Sequence, residues 1–330
     1  MGQPNLIKLL FSLLALGLVP PASAQEPTET AANIAARTAF LARLSKEQQL
    51  QNIGWKLIQG NAEFCENIIP AVGLQLHDIA SYENPDIVRI AAGLEGDIGV
   101  LTVAAESPGY RAGLRHGQEI VDVAGLDPTT ISVASRNDWR RAKQLHDKID
   151  ASLISDHSVT LTLLENSEVT IDPVMTCSTR FELGGDNARA VADGNRVIFG
   201  SRFPGFNYDE EEFAAAVAHE FAHNVMQHRS WLAKAGRHRR NIRITEREAD
   251  RLMPWLLVNA GYDPMAAVRF MARWGPKHGG GLFRKRPHDG WDERVEFIEN
   301  EVARINSSQP VGQKLNWRIL FEREPELTRY

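Results

Sequence analysis

Residues 219–223 read His-Glu-Phe-Ala-His, and this spacing constrains the chain more tightly than any other feature in it. Histidines four apart fall one turn apart on the same face of a helix. Two imidazoles so placed can share one metal ion, and zinc suits them well. The arrangement works only on a helix, so the flanking residues should be helical. Asp209 with Glu212 three residues on resembles a capping box, and the Ala-rich run after it is expected to stay helical to about residue 228. Phe213, Val217 and Phe221 are spaced to bury the opposite face. Glu220 sits beside both histidines, where a carboxylate can act as general base on a metal-bound water.

A catalytic zinc site needs a third protein ligand and keeps a position for water. A third histidine at metzincin spacing would require glycine at 226 and histidine at 229, and the chain has Met226 and Arg229 there. His228 lies five residues after His223 and is expected off the ligand face, in a structural role. A carboxylate from another helix remains. A second helix is expected over 244–260, ending at Gly261, with a kink at Pro254. Glu246 and Asp250 are four apart on one face of it. Glu246 is the candidate ligand, and Asp250 can hydrogen-bond a ligand imidazole and fix its tautomer. Glu248 is the competing carboxylate and points elsewhere. One zinc ion per chain is therefore expected, on His219, His223 and Glu246.

Several motifs follow one another in order: Asn187-Ala188 with Gly194 before a strand; the 219–223 run with His228; Glu246-x-x-Ala249-Asp250; Ala260-Gly261-Tyr262-Asp263-Pro264; and His288 six residues before Arg294. Together they resemble the HtpX and CAAX prenyl endopeptidase family of gluzincin metallopeptidases, especially its soluble BepA-like members. The resemblance implies that Glu246 is the zinc ligand, that Asp250 supports the site, and that His288 and Arg294 lie near it, where either could stabilise an oxyanion. It further implies a mainly helical zincin-type domain with a small edge-strand sheet, and hydrolysis of peptide bonds in exported, unfolded or misassembled proteins. The strand carrying Arg196, Val197 and Ile198, one arm of a hairpin across Asp193-Gly194, is then expected to pair with an extended substrate. The chain departs from the family where Asp289 follows His288, at Pro254, and in lacking the membrane spans of HtpX-type members.

Residues 72–175 have a different character, with short Val/Ile/Leu strands and one polar helix near 137–152. The run from Gly99 through Ser107-Pro108, Ala112-Gly113-Leu114 and Gly117 to Ile120 resembles a bacterial PDZ domain, although Gln118 stands where Asp is usual. Gly93-Leu94 and Gly73-Leu74 are both candidates for its carboxylate-binding loop. A strand over 119–123 and a hairpin of 159–164 with 168–171 are expected. The resemblance implies a β-rich insertion that takes C-terminal peptides or exposed apolar segments, and either delivers substrate or regulates access.

The first 24 residues read as a cleavable signal peptide: Lys8, a short apolar core, then Ala22-Ser23-Ala24. Export would place Cys65 and Cys177, the two cysteines of the chain, in an oxidising compartment, where an isolated pair reads as a disulfide. That bond would clamp the two ends of the insertion. Periplasm is the expected location, with the extracellular space as the alternative. The net charge of −5 gives no reason to expect nucleic acid as a partner, and no later apolar run is long enough to span a membrane.

The expected fold class is α+β, with a signal peptide at 1–24, a helical segment of the protease domain at 25–71, a PDZ-like domain at 72–175, the catalytic domain at 176–306 and a tail at 307–330 that carries no functional signal. The basic run Arg229, Lys234, Arg237, Arg239, Arg240, Arg243 reads as a solvated loop between the two metal helices. The expected function is zinc-dependent endoproteolysis of polypeptide substrates. The rivals are a PDZ-bearing adaptor whose zinc site is structural or latent, and a zinc hydrolase acting on another bond.

Overall fold

Residues 30–133, 136–278, 289–308 and 313–327 are described by a computed structural model. The expected signal peptide and His288 lie outside the described residues. In chain order the first elements are α1 (Ala31–Gly60), β1 (Ile68–Ala71), β2 (Leu74–Asp78), α2 (Pro85–Ala92) and β3 (Ile98–Val103). Then come α3 (Pro108–Arg111), β4 (Ile120–Val123), α4 (Arg140–Ser155), β5 (Val159–Leu163), β6 (Glu168–Ile171) and β7 (Val174–Cys177). The remainder holds β8 (Arg180–Leu183), β9 (Ala190–Ala192), β10 (Arg196–Phe199), α5 (Glu210–Val225), α6 (His228–Ala235) and α7 (Arg239–Asn259). Last are α8 (Met265–His278), α9 (Trp291–Ser308) and α10 (Trp317–Leu320). The class is α+β: long helices with several small sheets. No helix among the described residues is long and apolar enough to cross a membrane.

The apolar interior is divided. Strands β2 and β3 pair with each other, and β4, β5 and β6 form a second antiparallel sheet. Leu76, Val100 and Leu161 from these strands, with Leu114 and with Leu145 of α4, belong to a core confined to 72–171. The chain enters this unit along β1 and leaves along β7. These two strands pair antiparallel with Ile68 opposite Cys177, and a Cys65–Cys177 disulfide closes the neck. The expected strands and the α4 helix are present. Helix α2 was not expected. It is only eight residues long, but Pro85 at its start and Gly93 in the left-handed conformation at its end are ordinary helix boundaries.

The second core joins the C-terminal half of α1 to the elements after β7. Gly54 lets α1 press onto β8, since a Cβ there would lie 2.2 Å from the Phe181 ring. Helix α5 runs through the middle of this core, packed against α1, α7 and α8. Its alanines 214–216, 218 and 222 are buried along with Phe213, Val217 and Phe221. The small side chains let three helices approach, so α5 is enclosed on more than the single face that the phenylalanine spacing indicated. The tail is not a separate piece. Leu315, Trp317 and Phe321 are buried in this same core, and Trp317 Nε1 donates to Asn61 Oδ1 at 3.0 Å.

Candidate metal centre

The Asp209 carboxylate accepts from Glu212 N at 2.8 Å and starts α5. The helix carries His219 and His223 on one face, their Nε2 atoms 3.4 Å apart. Helix α7 packs against α5 and presents Glu246 to the same point. Its carboxylate oxygens lie 3.4 Å from His219 Nε2 and 3.6 Å from His223 Nε2. An ion held tetrahedrally at about 2.0–2.1 Å by each donor would separate those donors by about 3.3–3.4 Å. The three atoms therefore have the spacing of ligands around one small cation, and they are the one such cluster among the described residues. Two neutral imidazoles and a carboxylate also make a charge-appropriate donor set for a divalent metal.

Each histidine is held from behind. Asp250, 1% exposed, lies 3.0 Å from His219 Nδ1. Arg294 grips the same carboxylate through Nε at 2.6 Å and Nη2 at 2.8 Å. Two of the Arg294 donors are thus spent on Asp250, which places Arg294 behind His219. His223 Nδ1 lies 2.9 Å from His228 Nδ1, and His228 Nε2 lies 2.9 Å from Glu248 Oε2. His228 and Glu248 are almost fully buried. Sequence spacing put both off the ligand face, which is correct, but missed that they meet behind His223. The reason is a turn at Gln227, whose φ of 56° ends α5 before residue 228 and starts α6 in a new direction. A left-handed glutamine leaves no signal comparable to glycine.

Burial would lower the pKa of His219, but the Asp250 and Glu246 carboxylates outweigh it and raise it to about 10. His223 is pushed down to about 3, chiefly by burial; Glu246 opposes this, while His228 and His219 add to it. Burial alone would raise Asp250, yet Arg294 and His219 hold it below the ordinary carboxylate range. Burial would raise Glu248 as well, and His228 and Arg323 reverse that.

Glu220, half-buried on α5, neighbours His223 at i, i+3. Beside the site, Asn224 ties the β9–β10 turn to α5: its Oδ1 accepts from Gly194 N at 2.8 Å and its Nδ2 donates to Arg196 O at 3.1 Å. The strand holding Arg196, Val197 and Ile198 is not an edge. β10 pairs with β8 on one side, parallel, and with β9 on the other, antiparallel. Its backbone groups are already used, and β8 and β9 form the two margins. The β9–β10 hairpin was legible from Asp193-Gly194, but the third strand pairs across long sequence distance. The basic run is likewise not a loop: Arg229 and Lys234 lie in α6, and Arg239, Arg240 and Arg243 in α7. Helix α7 continues through Pro254 to Asn259.

A cavity of about 840 Å³ lies between the two cores, walled by α1, β2, α4 and β8. The β2 margin that faces it is capped by one side chain, with Leu76 N donating to His146 Nε2 at 3.2 Å. Comparisons with protein-family models, curated proteins and solved structures find no match for this chain.

Proposed function

We propose that the protein is an exported zinc metalloendopeptidase of the gluzincin type, related to the HtpX-like family, with a PDZ-like insertion. The observation that carries this reading is the convergence of His219 Nε2, His223 Nε2 and a Glu246 oxygen within 3.4–3.6 Å of one another, with a carboxylate, Glu220, on the same helix. His219, His223 and Glu246 would hold the ion. When bound, zinc supplies Lewis acidity and lowers the pKa of a water ligand.

The remaining chemistry belongs to the chain. Asp250 and His228 keep the two rings turned toward the ion and fix their tautomers. Glu220 accepts the proton of the attacking water and returns it to the leaving nitrogen. Strand β9, with an outer margin free of strand partners in the described sheet, takes the role first expected of β10 and pairs with an extended substrate backbone. Main-chain pairing has little side-chain selectivity and favours unfolded polypeptides. The cavity beside β2 and α4 supports binding of an extended, C-terminal peptide by the PDZ-like unit. The Cys65–Cys177 disulfide supports an oxidising compartment such as the periplasm.

A structural zinc site needs no general base, so Glu220 beside the two histidines favours an enzyme over an adaptor. The test is casein hydrolysis by the zinc-loaded protein beside Glu220→Gln. Cleavage should require the wild-type residue, stop with a chelator, and leave zinc content equal in both proteins. Cleavage at full rate by Glu220→Gln would sink the mechanism.

A further inference from the structure

The segment after α10 closes a chain of contacts that begins at the metal centre. We propose that Arg323 is a positioning residue for the metal site, acting through Glu248 and His228 on the ring of His223. The proposal rests on the metal-binding reading above and adds a part of the chain that sequence left without a role.

A close contact between two imidazole nitrogens is a hydrogen bond only if one donates and the other accepts. His223 directs Nε2 at His219 and Glu246, so as a ligand it carries its proton on Nδ1. That proton points at His228 Nδ1, 2.9 Å away. His228 then carries its own proton on Nε2, which points at Glu248 Oε2, also 2.9 Å away. One proton arrangement satisfies every member, provided that Glu248 stays in place as an acceptor.

Glu248 is fully buried, and an ionised buried carboxylate must be paired and hydrogen-bonded. Apart from His228, the partners seen at Glu248 come from the tail. Arg323 Nε lies 3.1 Å from Oε1 and Nη2 lies 2.8 Å from Oε2, and Glu324 N donates to Oε1 at 3.0 Å. Arg323 Nη2 also approaches the Met226 carbonyl at the end of α5, at 3.4 Å. Residues 321–327 are fixed at both ends, by buried Phe321 and buried Leu327. Between them Arg251 donates to Glu322 O at 3.0 Å and to Glu324 Oε1 at 2.8 Å. The tail is thus a strap across α7 that delivers one guanidinium to the carboxylate behind His223.

Loss of a partner behind a metal ligand weakens metal binding roughly 10- to 100-fold. Arg323 acts through two intermediates, so the lower end, about tenfold, is expected. The experiment measures zinc dissociation constants by chelator competition, and thermal unfolding of the metal-free form, on the full chain. The variants are R323A, R323K, R323Q, D250N, H219A and R318A, the last an exposed residue of α10. R323A and R323Q should bind about tenfold more weakly. R323K should fall between them and wild type, because an ammonium cannot make the paired contact. R318A should match wild type. Should R323A fail to fold, R323Q carries the same expectation. Wild-type affinity in R323Q, with lower thermal stability alone, would make the strap purely structural and overturn the proposal. If D250N weakens zinc binding while R323A and R323Q do not, this inference fails and the metal reading stands. If wild type shows no zinc binding that H219A abolishes, both fall.

Discussion

Replacing Asp250 by asparagine tests how the site is held, because the shape is kept and the charge is removed. Asp250 joins His219 to Arg294, with contacts of 3.0, 2.6 and 2.8 Å, and it is 1% exposed. Removing one partner of a buried ion pair costs roughly 3–5 kcal/mol. Arg294 keeps 13% exposure and the amide oxygen introduced by D250N would still accept one hydrogen bond, so about 3 kcal/mol is expected for the metal-free protein. Two effects then oppose each other in metal binding. His219 loses the carboxylate that lies 3.0 Å from its Nδ1, which weakens affinity roughly 10- to 100-fold. It also loses one of the carboxylates that raise its pKa to about 10, so less proton competition remains at neutral pH. The net expectation is a weakening of about tenfold, or about 1.4 kcal/mol. Denaturant unfolding of the metal-free form and chelator competition for zinc measure the two quantities separately. Unchanged zinc affinity alongside a clear loss of stability would refute the claim that Asp250 orients a ligand.

Three further outcomes follow from the same structure. At pH 7 the metal-free protein should hold His219 as the imidazolium, with its pKa near 10, and His223 as the neutral ring, with its pKa near 3. Calorimetry of zinc binding in buffers of different ionisation enthalpy should therefore show about one proton released, and a count near zero or two contradicts the assignment. His77 is buried, its Nε2 has no hydrogen-bond partner among the described residues, and burial chiefly, with His116, lowers its pKa to about 3. The unfolded chain binds this proton below about pH 6.5 and the folded one does not. The stability is complete above that pH and drains as pH falls toward 3, by about 1.4 kcal/mol per unit. Between pH 6 and 4 the wild type should lose stability that much more steeply than His77→Phe, and parallel slopes would exclude the burial argument. The Cys65–Cys177 bond spans 112 residues, so replacing both cysteines by Ala should cost up to about 4–5 kcal/mol in denaturant unfolding. A loss below about 1 kcal/mol would mean that the β1–β7 ladder closes the neck unaided.

The sequence by itself determined the local features, because each needs only residues close together in the chain. The spacing of His219 and His223 on an alanine-rich helix fixed the ligand face. The four-residue step from Glu246 to Asp250 put a candidate ligand and a second carboxylate on one face of a second helix. Turn residues announced the β4, β5 and β6 strands and the β9–β10 hairpin. What depended on distant pairing was not legible. That β10 is interior follows from β8, and the partner of Asp250 comes from Arg294 on α9. His228 was readable only as a histidine off the ligand face, because its path back to His223 depends on one left-handed residue, Gln227. Arg323 lies 75 residues from Glu248 in the chain and sits in a stretch without periodicity. Periodicity reports which face of an element is apolar, whereas buried charges must find partners wherever the folded chain brings them. The candidate ligands were therefore written in local spacing, and the contacts behind them were decided only by tertiary structure.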